Sequence, residues 1–178
     1  MKPADVVEFW TKAGRKHWFA KDERFDARIR ERFEALHHAA ARRELDDWAQ
    51  TAQGALALLL LLDQFPRNMY RGSAHSFATD PLARLIARAA IDAGHDRAVD
   101  PALRQFFLLP LEHAESLTDQ DHAVALAQAS GDPDLAKWTM LHRDIIWRFG
   151  RFPHRNAVLG RETTAEETQF LRSGGFAG

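Results

Sequence analysis

The chain has no cysteine. That absence removes disulfides, thiolate nucleophiles and cysteine-ligated zinc or iron–sulfur clusters, and it fits a reducing compartment. Net charge is almost lacking as well, since 24 Lys and Arg stand against 25 Asp and Glu. No whole-molecule field draws such a chain to nucleic acid or to an acidic membrane surface, so any charge-based function has to be local. Long apolar runs are missing too. The most apolar stretch, ALALLLLL at 55–62, falls far short of the roughly 20 residues a membrane helix needs. The opening MKPADVVEFW has no apolar segment of the kind a secretion signal carries. The expectation is a cytoplasmic protein with neither a nucleic-acid nor a membrane partner. Finally, there is no Gly-rich phosphate loop and no Gly-x-Ser-x-Gly elbow, so no cofactor is expected.

What is present is legible helix punctuation. A chain of 178 residues fits one domain with a sizeable core, here residues 1–178 with a mobile tail near 173–178. Asp-Pro recurs at 80–81, 100–101 and 132–133, each pair offering an N-cap followed by a residue already set for the first helical position. These starts predict helices over 81–93, 101–109 (interrupted by Pro110) and 133–150. Pro3 opens another to about residue 13, and Phe25, Ile29, Phe33 and Leu36 mark an amphipathic one over 22–42. Thr51 caps a helix running to Phe65, and residues 119–129 form one more. Thr164 with Glu167 is a capping box for a last helix over 165–172. No segment alternates long enough to be a strand. The fold class is all-α, about eight helices, with the helix over 52–65 at the centre because it is apolar almost all round. The five tryptophans are assigned to the core.

Three constellations are left over from packing. In LLLLLDQFPRNMYRG, Pro66 is expected to end the helix at Phe65 and release Arg67 and Asn68 into a turn. Asp63 in the last turn of a buried helix then needs a partner, and Arg67 is the nearest. RFPHRNAVLGR at 151–161 echoes that motif and contains Arg151, His154, Arg155, Asn156 and Arg161 without one acid. Arginine offers a rigid fork of donors suited to carboxylate or phosphate. Should the two turns converge, Arg67, Arg71, Arg151, Arg155 and Arg161 would line an anion-binding cleft. In LLPLEHAES at 108–116, Glu112, His113 and Glu115 suit acid–base work. Adjacent Glu112 and His113 diverge on a helix, and this segment has no Glu-x-x-His spacing. No metal is expected.

LLLLDQFPRNMYRG, FATDPLA at 77–83, FFLLPLEHAESLTDQ at 106–120 and RFGRFPHRNAVLGRETTAEE at 148–167 together resemble the bacterial family called domain of unknown function 924. The likeness extends to VVEFW and KHWFAKDERFD near the start. It implies an all-helical fold similar to a tetratricopeptide-like array of helical hairpins, and it implies no activity. Where that family usually has His-Ser-Glu, this chain has His113-Ala114-Glu115.

Three readings follow. The first is a binding module whose Asp63, Arg67, Asn68, Arg71, Arg151, Arg155, Asn156 and Arg161 hold a small anionic ligand or an acidic peptide. The second is an enzyme on a small anionic substrate, with His113 or His154 as acid–base and Glu115 orienting it. The third makes Asp63, Arg67, Asn68, Arg155 and Asn156 a buried structural polar network that fixes the geometry of the helix ends.

Overall fold

Asp132 and Thr164 do what the sequence predicts. The Asp132 carboxylate accepts from Asp134 N–H and Leu135 N–H and opens a helix over Pro133–Phe149, while Thr164 and Glu167 close a full capping box at the start of Ala165–Arg172. The computed structural model describes residues 1–176. Among them there is no strand; the helices are α1 (Pro3–Ala13), α2 (Arg15–Trp18), α3 (Glu23–Ala41), α4 (Ala52–Leu59), α5 (Phe65–Met69), α6 (Asp80–Asp92), α7 (Gln105–Glu112), α8 (Leu117–Ser130), α9 (Pro133–Phe149) and α10 (Ala165–Arg172), with short 3₁₀ turns between some of them. The all-α expectation holds. No helix among the described residues is long and apolar enough to cross a membrane.

Contacts divide the chain into two compact units, Met1–Arg71 with His75–Pro110, and Gly72–Ala74 with Leu111–Gly178. In the first unit α4 and the turn after it are buried on every side, as the all-round apolar pattern requires: Leu56 and Leu58 to Leu62 are all at most 1% exposed. Rings from α1, α3 and α7 close on this axis, with Phe33 and Phe65 centroids 4.9 Å apart and Trp10 5.7 Å from Phe106. Each fully buried aromatic or leucine of this kind contributes about 1.5–3 kcal/mol of hydrophobic stabilisation. Gly54 is required at the entry to α4, because a Cβ there would stand 2.0 Å from the Trp48 carbonyl oxygen.

Pro66 does not end the helix. The chain passes through one π-helical turn, Leu60–Gln64, and continues as α5 with Pro66 inside it. In the wider π register Phe65 N–H donates to Leu60 O, five residues back; the next donor in that register would be Pro66, which has no N–H. Tertiary donors replace it, His37 Nδ1 on Leu61 O at 2.8 Å and Thr79 Oγ1 on Leu62 O at 2.5 Å. Nor does Pro110 interrupt its segment, since α7 runs through it to Glu112. Asp80, expected as an N-cap, is instead the first residue of α6, and its carboxylate serves Arg67.

In the second unit α8 packs along α9, and α10 lies by the 3₁₀ turn Pro153–Arg155. Phe152, Ile145 and Ile146 form one buried cluster of it, with Phe149, Phe170 and Phe176 against them. Not all tryptophans are core residues: Trp147 is 68% and Trp138 48% exposed on α9, whereas Trp10 and Trp18 are buried. Of the expected tail, Phe176 has its ring 4.6 Å from that of His142, and Ala177 and Gly178 lie outside the described residues.

Candidate functional site

Each of the two echoed turns is built around a carboxylate shared by an asparagine and an arginine. In the first unit, Asn68 Nδ2 donates to Asp26 Oδ1 at 2.7 Å, and Arg71 grips the same carboxylate through Nε (2.5 Å) and a terminal nitrogen (3.1 Å). In the second, Asn156 Nδ2 donates to Glu167 Oε2 at 3.1 Å, and Arg151 grips Glu167 through Nε at 2.6 Å and a terminal nitrogen at 2.9 Å. A flat guanidinium fork on a carboxylate is the strongest side-chain pairing available to the chain. The asparagine of each Phe-Pro-(His)-Arg-Asn motif thus meets a carboxylate that an arginine from outside the motif also grips, Arg71 after it in the first turn and Arg151 before it in the second.

The remaining arginines are also held. Arg67 lies 3.1 Å from Asp63, as the i,i+4 spacing predicts, and places two nitrogens at 3.0 Å from the two oxygens of Asp80. Asp63 is 1% exposed and accepts from Gln64 Nε2 as well. Burial works against the Arg67 charge, but Asp63 and Asp80 outweigh it and raise its pKa above the ordinary value. Arg161 grips Glu115 with both terminal nitrogens, at 2.7 and 3.0 Å. Arg155 is 6% exposed, with its guanidinium carbon 4.6 Å from the centre of the Phe152 ring.

Of the acid–base candidates, Glu115 is engaged: besides Arg161 it accepts Phe152 N–H at 2.8 Å. Burial works to raise its carboxyl, and those hydrogen bonds, with Arg155 near, outweigh it and hold the group below the ordinary carboxylate range. His154 is pushed down to about 3, first by burial and then by the positive charge of Arg155 and the nearby His142 and His113. It stays neutral at any physiological pH. His113 sits just past α7, half-buried. Unforeseen in the sequence is the buried pair His142 and Glu112, with Nδ1 3.0 Å from Oε1.

Several buried polar atoms in the second turn lack a hydrogen bond: His154 Nδ1, Asn156 Oδ1 and Arg161 Nε. Native interiors leave few such atoms, and a group of them in one turn calls for a reason.

A third cluster, in the first unit, was not expected at all. His37 and His38 on α3 and His75 on the 3₁₀ turn Ala74–Phe77 bring one ring nitrogen each to within 4.8 Å of one another. His37 Nε2 and His75 Nε2 are 3.3 Å apart. His37 is fully buried, and its burial, foremost, lowers its pKa. Tyr70 stacks on His75 at 4.0 Å and donates its hydroxyl to Glu34 Oε1 at 3.0 Å. Burial, then Glu34, pushes the phenol up to about 12. The one signal in the sequence is Glu34-Ala35-Leu36-His37, a Glu-x-x-His spacing; nothing local points to His75.

Fold and turns together define the class: an all-α chain of two helical units, each with an asparagine–arginine–carboxylate clamp at a Phe-Pro turn. The chain belongs to the family described as bacterial protein of unknown function, DUF924, whose model matches residues 6–175. It is similar to the solved structure of ATU0120, a protein of unknown function from Agrobacterium tumefaciens, with 55% identity over 97% of both chains and a TM-score of 0.94. No curated protein matches it. The family resemblance carried by the four motifs is borne out.

Proposed function

We propose that the chain is a binding module for a small anionic ligand, seated at the turn 152–161 of the second unit. The observation that carries this reading is the group of buried polar atoms without a hydrogen bond, His154 Nδ1, Asn156 Oδ1 and Arg161 Nε. Asn156 has committed its amide nitrogen to Glu167, so its oxygen is an acceptor that calls for a donor. Arg161 Nε is a donor that suits a negative oxygen. A small carboxylate or phosphate that also carries a hydroxyl or amine supplies both. Such a ligand fits the seat better than an acidic peptide, since only one turn is involved.

One observation favours a different reading: Arg67, Arg71, Arg151 and Arg161 each already hold a carboxylate of their own unit, which makes the two motifs scaffolding. The enzyme reading is weaker than either. A neutral His154 is a poor proton donor, and Glu115 is occupied by Arg161 and Phe152 N–H.

A thermal-shift screen against phosphates, sulfate, nucleotides and small hydroxy- or amino-carboxylates separates these readings, run beside His154→Leu. A ligand at 100 times its dissociation constant stabilises the native state by about 2.7 kcal/mol, several degrees for a chain of this size. A shift for one chemical class that His154→Leu removes while remaining folded supports the module. No shift with any compound, or one that the variant leaves intact, overturns the seat and leaves scaffolding.

A further inference from the structure

The histidine cluster of the first unit shares no residue with that seat or with either clamp. Its key feature is a fixed tautomer. Pro66 has no N–H to give, Leu61 O is left open by the π turn, and His37 Nδ1 lies 2.8 Å from it. That bond requires the proton on Nδ1, which leaves Nε2 of the neutral ring with a bare lone pair. Metal-binding histidines are held in this way, by a backbone carbonyl on the nitrogen that does not face the metal. The bare Nε2 faces His75 Nε2 at 3.3 Å. Two nitrogens bound at about 2.0–2.1 Å to one tetrahedral cation stand about 3.3–3.4 Å apart, so this pair already has the spacing of two ligands.

His38 supplies the third nitrogen. Its ring centroid is 5.1 Å from that of His37 and 5.6 Å from that of His75, and its Nε2 lies 3.3 Å from Tyr70 Oη. As a half-buried side chain it can turn that nitrogen inward without disturbing the core. We propose that His37, His38 and His75 form a binding site for one divalent transition-metal cation of the zinc class. Three neutral imidazoles suit zinc, copper or nickel and not calcium or magnesium, which take oxygen ligands. With three protein ligands the fourth position is open to water or an anion. The Glu34 carboxylate, which accepts the Tyr70 hydroxyl, adds a negative charge on the same helix as His37 and His38. The site departs from the absence of metal expected from the sequence.

The test uses the untagged, chelator-stripped full chain, titrated with cobalt(II) under visible spectroscopy and with zinc(II) by calorimetry. His38→Ala, His75→Ala and the exposed-site control His122→Ala are titrated beside it. The expected result is saturable one-to-one binding with a four-coordinate cobalt spectrum. His122→Ala leaves it unchanged, while His75→Ala and His38→Ala each weaken it by roughly tenfold or more, in line with the 10–100-fold that even supporting groups command. Circular dichroism of the metal-free variants confirms that they are folded. No saturable binding to the wild-type chain overturns the proposal whatever the variants do. So does binding that survives both alanine substitutions, and the 3.3 Å contact is then a histidine–histidine hydrogen bond alone.

Discussion

Arg151 and Glu167 meet as a two-pronged fork, Nε to Oε1 at 2.6 Å and a terminal nitrogen to Oε2 at 2.9 Å, and the same Oε2 accepts Thr164 N–H at 2.8 Å. One carboxylate thus closes the capping box of α10, anchors the Asn156 turn and neutralises Arg151. Four donors on one group explain why its pKa falls to about 2, with Arg151 the largest cause.

That depression sets an acid limit on the second unit. The unfolded chain takes up the Glu167 proton near the ordinary value of about 4.3, whereas the folded chain resists it down to about 2. The stabilisation is therefore complete above the unfolded value and is lost as pH falls through the folded one. Glu167→Gln is expected to lower stability by about 1–3 kcal/mol at pH 7, the penalty for leaving Arg151 and Thr164 N–H with a poorer acceptor. Urea unfolding at pH 7 and at pH 3 checks it: the gap between wild type and variant narrows at the lower pH. A gap that stays constant would show that the clamp does not depend on the charge.

The first unit has its counterpart in Arg67. Asp63 is buried at the end of an all-apolar axis, and Arg67 is its cationic partner while also holding Asp80. Removing one side of a buried pair is destabilising by about 3–5 kcal/mol, because the other charge stays behind. Arg67→Ala is expected to fall in that range. Adding Asp63→Asn to it recovers part of the loss, since one of the two carboxylates that Arg67 held then carries no charge. Denaturant titrations of the two variants measure both effects. An Arg67→Ala protein as stable as wild type would return Arg67 to the list of residues kept for an external anion.

Much of this was legible in the sequence, and the reasons for what was not are physical. Helix starts with a local chemical signal were readable, Asp132 before Pro133 and Thr164 three residues before Glu167, and so was the ion pair of Asp63 with Arg67 four residues on. What depends on distant donors was not. Pro66 reads as a helix stop because its missing N–H leaves carbonyls open, and the chain continues only because His37 and Thr79, on other elements, supply donors to Leu61 and Leu62. The arginine density at 148–161 read as unneutralised because its acids lie outside the stretch: Glu115 and Glu167 for the second turn, as Asp26 for the first. Spacing reveals partners a helical turn apart; it is blind to partners brought in by packing.

His154 gives the sharpest way to judge whether the second unit holds a proton-transfer site. Burial foremost, and then Arg155, His142 and His113, oppose its protonation, with only Glu115 acting the other way, and its pKa lies at about 3. An unfolded histidine takes up its proton near 6.5, so the unfolded state binds more protons than the folded one between those values. Stability is then full above about 6.5 and declines as pH falls toward the folded value. In wild type this loss begins well before Glu167 starts to matter, and His154→Leu is expected to flatten the profile between pH 7 and 5. Side-chain NMR provides the direct measurement: the His154 ring resonances should not titrate over that range. Should His154 titrate with a midpoint near neutrality, the ring is accessible to protons, and the acid–base reading of this turn regains its footing.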